Sequence, residues 1–229
     1  MKLNSYNITA RIYPAIITSI PFYVFHFFYL SPTLGQFWGD LLGIQIASDA
    51  TIILALLFLF AQLNRHVSKQ LFQNKMFAKG LAFPTTDYLL HFDSHFSQPY
   101  RAQIHAKIKS DFNIDIPSHE QEKQDPAHAR KIINEAIGRV RVKVGDGKLV
   151  GQHNAEYGFA RNLAGGAVIA LCMSLADAIF FAASHNAVAA WFSVALIVIY
   201  FLVIIFSKQI INAFAHHYAE KLIDEYMAI

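Results

Sequence analysis

Charge is scarce in this chain. Only 15% of its 229 residues are charged, against about 25% in ordinary soluble domains. Hydrophobic residues make up 55% and are gathered into blocks, which excludes a disordered chain and points to a membrane-embedded one. Cysteine is nearly absent. The lone Cys172 lies in an apolar block, so there is no disulfide scaffold, and the redox compartment is not readable. The chain also lacks G-x-x-x-x-G-K, G-x-G-x-x-G and G-x-S-x-G, which removes the phosphate-loop, dinucleotide and nucleophile-elbow readings. No enzyme triad, internal repeat or cofactor motif is present, so neither an enzyme nor a cofactor is expected.

What the chain does have is four apolar blocks without Lys or Arg, at about 12–30, 41–63, 163–184 and 187–206. Each is long enough to cross a hydrocarbon core of about 30 Å as a helix. The first is long, carries Pro14 and Pro21 and lacks a small-residue cleavage site, so it is expected to be retained. All 19 Lys and Arg lie before the first block, in 64–162, or after the fourth. The loops 31–40 and 185–186 have none. By the positive-inside rule both termini and the middle segment are cytoplasmic. The expected fold is an all-α membrane protein with four transmembrane helices as two hairpins (1–63 and 163–206). A mainly helical cytosolic domain (64–162) is inserted between helices 2 and 3, and 207–229 forms a cytosolic amphipathic helix. A multi-pass membrane location is expected.

Within the middle segment, residues 64–80 read as a continuation of the second span ending at Gly80. Pro84 is expected to stop the preceding helix, with Thr85 or Thr86 capping a new turn. Ile104, Ile108 and Phe112 form a helical face. "DIPSHEQEKQ" reads as a polar loop. Asp125 and Pro126 read as the N-cap and first residue of a helix, whose end, "RVRVKV", is either helix or a short strand. "GDGK" is a turn. Beyond 206, Ile211, Phe214, Tyr218 and Leu222 share one face.

Ionisable residues inside apolar blocks are the first functional candidates, because a charge in lipid is costly. Asp177 follows Gly166, Ala170 and Ser174, small residues at a spacing that favours close helix packing. Gln45 and Asp49 share a face of the second span. Counting about 1.5 Å per residue, Asp49 and Asp177 lie about 12 and 10 Å from the outer end. The first span adds Ser19, Tyr23 and His26. A polar cluster of His26, Gln45, Asp49 and Asp177 is expected, serving either as an ion, proton or water path or as a hydrogen-bonded packing network.

Outside the spans, Arg130, Lys131, Arg139, Arg141 and Lys143 form a basic cluster suited to a soluble phosphate ligand or lipid headgroups. The alternative is a solvated face. Direct nucleic-acid binding is not expected. "HFDSH" offers His91, Asp93 and His95, but nothing completes a metal site and no metal is expected.

The stretch "NAEYGFARNLAGG" enters the third block. Tyr157 and Phe159 suit the headgroup level, Arg161 marks the border, and Gly158 is expected to allow a turn before the span. The segment thus reads as a link between the domain and the helix that carries Asp177. Its pattern N-x-x-Y-G-F-x-R-N-L-x-G (Asn154, Tyr157, Gly158, Phe159, Arg161, Asn162, Leu163, Gly165) resembles small bacterial membrane effectors of nucleotide-signalled antiviral systems, among them the SMODS-associated transmembrane effector families. "FPTTDYLL" at Phe83–Leu90 is similar too. The resemblance covers about a tenth of the chain. It implies a pore-forming or membrane-disrupting effector of the bacterial inner membrane, controlled by a cyclic nucleotide or a cytosolic partner protein; four helices alone line only a narrow pore and the small-residue stripe favours assembly, so a homo-oligomer is expected. It transfers no ligand-contact residue and does not say whether a signal activates or inhibits. The alternatives are a small channel or transporter subunit using the acidic cluster, and a non-conducting anchor that recruits a cytosolic partner.

Overall fold

The computed structural model describes residues 5–33, 45–145 and 147–229, with backbone alone at 45–52 and 148. The elements are α1 (Ser5–Thr18), α2 (Ile20–Thr33), α3 (Gln45–Ser68), α4 (Pro84–Asp87), α5 (Gln98–Phe112), α6 (His119–Gln124), α7 (Pro126–Val144), α8 (Lys148–Ala183) and α9 (Ala187–Ala228). The architecture is all-helical among the described residues, with a middle helical region flanked by long apolar helices. α8 and α9 are each long and apolar enough to cross a membrane, and α1 with α2 make a third if that bent pair is one span. α3 carries the second block, whose residues 41–44 lie outside the described residues.

The chain divides into an apolar unit, Met1–Phe72 with Gly158–Ile210, and a polar unit, Gln73–Tyr157 with Ile211–Ile229. The sequence reading set the inner boundaries at 63/64 and 162/163.

In the apolar unit, Pro14 and Pro21 lack backbone N–H groups, which deprives the carbonyls of Ala10 and Ile17 of their usual i+4 donors. Such orphans are costly in lipid and must be satisfied from elsewhere. Asn162 Nδ2 donates to the Ala10 carbonyl at 2.6 Å, and the Tyr200 hydroxyl donates to that of Ile17 at 2.6 Å. The helix axis bends by 42° between α1 and α2, at Ser19, two residues before Pro21. Val24, Ala167, Ala170, Phe181, Leu196 and Tyr200 pack together, and so do Ala15, Phe60 and Ala61. Tyr29 and Phe25 of α2 meet Phe180 edge-on, at 4.7 and 5.3 Å. Large apolar side chains cover the outside: Trp191 is 74% and Ile179 72% exposed. A surface of this kind suits lipid rather than water.

In the polar unit, Ile104 and Ile108 of α5, Ile133, Ile137 and Val140 of α7, and Leu222 and Tyr226 of α9 are buried. Phe112 stacks on Tyr226, so the expected α5 face is present. Ile211, Tyr218 and Leu222 are buried and Phe214 partly so. The amphipathic tail is the last part of α9 and belongs to this unit.

Several local expectations are corrected. Residues 69–76 continue the helix as a π-helical turn and a short α-turn. The stop comes at Phe77, and Ala78, Lys79 and Gly80 all have positive φ. Phe83, not a threonine, caps α4. "DIPSHEQEKQ" is not all loop: Ser118 and Gln121 form a reciprocal capping box on α6, the S-x-x-Q signature of a helix start. "RVRVKV" is helical to Val144, because α7 offers its buried face at helical spacing. Asp125 caps α7 as expected, accepting from His128 N. Gly158 is not at a turn but inside α8.

Partly buried His105 gives the polar unit a pH dependence. Its Nε2 donates to the Leu89 carbonyl at 2.8 Å. Burial, opposed by that bond and reinforced by His91 and Arg101, lowers its pKa below the ordinary 6.5. The unfolded chain therefore takes up this proton first as the pH falls. The contribution is complete above pH 6.5 and is lost as pH drops through the lower folded-state value. Denaturant unfolding of the full chain in detergent should weaken from pH 6.5 downward, and His105→Gln, which keeps a donor for Leu89, should flatten that fall.

Candidate functional site

The quoted stretch becomes a junction of three helices. Its interface residues recur at helical spacing along α8. A Cβ on Gly158 would stand 2.7 Å from the Ala10 Cβ, and one on Gly165 would stand 2.5 Å from the Ser68 nitrogen and 2.6 Å from the Asn64 carbonyl oxygen. On Gly166 it would meet the Asn64 side chain at 2.5 Å. Real Cβ contacts are not that short, so glycine here allows backbones to approach closely.

Side chains close the junction. Asn162 bridges α1 and α3: its Nδ2 serves Ala10, and its Oδ1 accepts from Ser68 Oγ at 3.2 Å. Asn64 Nδ2 donates to Thr18 Oγ1 at 2.7 Å, and Thr18 donates to the Pro14 carbonyl at 2.8 Å. Asn64, Ser68, Thr18 and Asn162 are all buried. Sequence reasoning missed this network, although Pro14 had already marked Ala10 as a carbonyl in need of a donor.

Further along α8, Ala170 and Ser174 are fully buried and Ser174 Oγ donates to the Ala170 carbonyl. Asp177 is 6% exposed, and its Oδ2 has no hydrogen-bond partner among the described residues. His26 is partly buried, and no hydrogen bond joins it to Asp177 among the described residues. The side chains of Gln45 and Asp49 lie outside the described residues.

The rest of the motif divides between the units. Tyr157 is buried in the polar unit against Phe83 and Tyr218, and Phe83 in turn meets Phe77. Phe159 is partly buried and Arg161 is 9% exposed, both in the apolar unit.

The basic cluster does not act as one patch. Arg130 pairs with Asp87 and donates to the Leu81 carbonyl. Arg141 lies over the rings of Phe83 and Tyr218 and reaches Thr85 Oγ1. Lys143 pairs with Asp111, whose carboxyl is held below its usual range by hydrogen bonds from Lys143 and Tyr226. Lys131 and Arg139 are exposed on α7.

"HFDSH" serves local structure. His91 Nε2 donates to the Pro117 carbonyl at 3.0 Å, and His95 stacks on Tyr88 at 3.7 Å and pairs with Glu220. Asp93 accepts from the His95 backbone. Buried Glu122 accepts from His91 N, and buried Arg101 donates to the carbonyls of His91 and Asp93. No group of three His, Cys, Asp or Glu is placed to hold a metal among the described residues. In comparisons with known proteins, no family model, no curated protein and no solved structure matches the chain.

Proposed function

We propose that the chain is a membrane-permeabilising effector of a bacterial antiphage defence system. It works as a homo-oligomer in the inner membrane and is controlled through its cytosolic region by a nucleotide signal or a partner protein. In this reading four transmembrane helices form two hairpins, and both termini and the middle region are cytoplasmic. The distribution of Lys and Arg supports that orientation, and the resemblance of the 154–165 motif supports the effector class.

The observation that carries the reading is Asp177. Its carboxyl is buried in an apolar helix, and Oδ2 is unsatisfied among the described residues. Buried polar oxygens normally have partners, and intramembrane carboxyls tend to face protein or a water-filled cavity. A hydrated path between copies would give this oxygen a partner.

The test is membrane depolarisation in cells expressing the chain, with and without a co-expressed nucleotide cyclase. Depolarisation that depends on the cyclase is expected. Lys131 and Arg139 are exposed on α7 and can meet an anionic signal, so Lys131→Glu with Arg139→Glu should remove the dependence while membrane insertion persists. No depolarisation at any expression level favours the anchor. Reporter fusions after Lys79, Gly145 and Ile229 should read cytoplasmic and one within 33–37 periplasmic; an external signal at Gly145 overturns the topology.

A further inference from the structure

Residues 88–97 cross from α4 to α5 as turns and bends, and histidines hold both sides of this segment. On the side of α5 and α6, His105 Nε2 donates to the Leu89 carbonyl at 2.8 Å, and His91 Nε2 donates to the Pro117 carbonyl at 3.0 Å. The His91 ring lies 5.3 Å from that of His105 and 6.0 Å from that of His119. Buried Glu122 accepts from the backbone nitrogens of His91 at 2.8 Å and Phe92 at 3.4 Å, and buried Arg101 donates to the His91 carbonyl at 3.1 Å. On the side of α9, the Tyr88 hydroxyl and His216 Nδ1 share a hydrogen bond of 2.6 Å, and His95 pairs with Glu220 at 3.3 Å. We propose that His91, His105 and His119 make this segment an acid-operated latch, which releases from α5 and α6 when the imidazoles take up protons and stays held to α9.

Charge sets the direction. Protonation leaves both Nε2–H donors in place, so it removes no hydrogen bond; what it adds is positive charge. The three imidazolium groups would stand together with the Arg101 guanidinium, which with His91 already acts on His105. Two carboxylates oppose them. Both oxygens of Glu122 are engaged by backbone N–H groups. Glu120, which acts on His91 and His119 from the first turn of α6, is exposed and bonded to Ser118, so water screens it. Crowded like charges that lack a full set of partners are costly where water is excluded. Burial lowers the His105 pKa; the Leu89 carbonyl and Glu122 oppose that shift, and His91 and Arg101 reinforce it. The open segment therefore binds the proton before the closed one does, and closure weakens as the pH falls below the ordinary 6.5. On the side of α9 the sign reverses. Protonated His95 gains Glu220, and Asp87 and Asp93 also act near Tyr88. Leu89 and Leu90 are fully buried, so release bares apolar surface. The latch lies wholly within the polar unit and does not depend on the pore reading.

The test is amide hydrogen exchange, read by mass spectrometry on the full chain in a neutral detergent. Rates at about pH 7.5 and about pH 5.5, on either side of the imidazole range, are corrected for the intrinsic pH dependence of exchange. Protection of peptides covering 88–97 should fall by about tenfold at the lower pH, the limit for one imidazole that takes up its proton only in the open form. Peptides of α7 should keep theirs. His91→Gln with His105→Gln retains an N–H donor for each carbonyl and carries no titratable group, so its protection should be equal at the two pH values. His119→Asn repeats the test at an exposed residue that bonds neither carbonyl, in case the double variant fails to fold, and should lessen the acid loss. His128→Gln, exposed on α7, should behave as the parent. Equal protection of 88–97 in the parent at both pH values overturns the proposal. So does loss of protection across α5, α6 and α7 together, which identifies global unfolding, or an acid loss undiminished in the variants.

Discussion

Gly165→Ala is expected to destabilise the apolar unit by about 3 kcal/mol, the upper end of the usual range for overpacking. The added methyl would lie 2.5 Å from the Ser68 nitrogen and 2.6 Å from the Asn64 carbonyl oxygen. Both are backbone atoms of one helix, so relief requires α3 and α8 to separate. Separation would stretch the Ser68–Asn162 hydrogen bond and with it the donor to Ala10. Gly166→Ala should cost less, because its nearest obstacle is the Asn64 side chain, which can swing away by giving up Thr18. Gly138 of α7 has nothing within 4 Å of its added Cβ. Gly138→Ala should therefore stabilise by about 0.5–1 kcal/mol, through the ordinary helix preference for alanine. Unfolding midpoints of the three variants in detergent, at equal protein concentration, check the order. A neutral Gly165→Ala would mean that α3 and α8 do not approach as closely as described.

Asp177→Asn should keep the fold and expression level but change depolarisation in rate or ion dependence, because it removes only the ionisable group. The residue is buried beyond fully buried Ala170 and Ser174 on α8, so the near-isosteric amide fits. Asp177→Leu should damage both assembly and conduction, since it fills the position with a branched apolar group and removes every polar atom. Two further outcomes separate packing from conduction. If the carboxyl is neutral and only packs, asparagine reproduces its hydrogen-bonding capacity and depolarisation equals the parent. If it lines the path, the asparagine variant differs while Gly138→Ala, outside the apolar unit, behaves as the parent. The measurement is a voltage-sensitive dye in cells with matched protein levels. Equality of Asp177→Asn with the parent moves the reading toward the non-conducting anchor.

Much of the local structure was written in the sequence, for identifiable reasons. Asp125 and Pro126 announced the start of α7, and Ile104 with Ile108 announced the buried face of α5, because caps and faces depend on neighbours within a few residues. The capping box at Ser118 and Gln121 was equally local and was legible, but polar composition concealed it. The small-residue spacing of Gly166, Ala170 and Ser174 indicated a packing face, though not its partner. Gly158 illustrates the limit. Glycine before an apolar block suits a turn or a close contact equally well, and only the position of Ala10 chose the contact.

The sequence by itself determined the helical class, the apolar blocks and the segments between and beyond them in which the cations lie. These follow from composition and from the period of the α-helix. The tertiary structure alone decided how the cations are used. Arg130, Arg141 and Lys143 look alike in the chain, yet Asp87, the rings of Phe83 and Tyr218, and Asp111 engage them one by one. Ala10, Ser68 and Asn162 are far apart in sequence, yet they meet because Asn162 supplies the donor that Pro14 withholds from Ala10 and accepts from Ser68. A proline's missing N–H is visible in one residue. The group that compensates for it lies on another helix, and only packing brings it there.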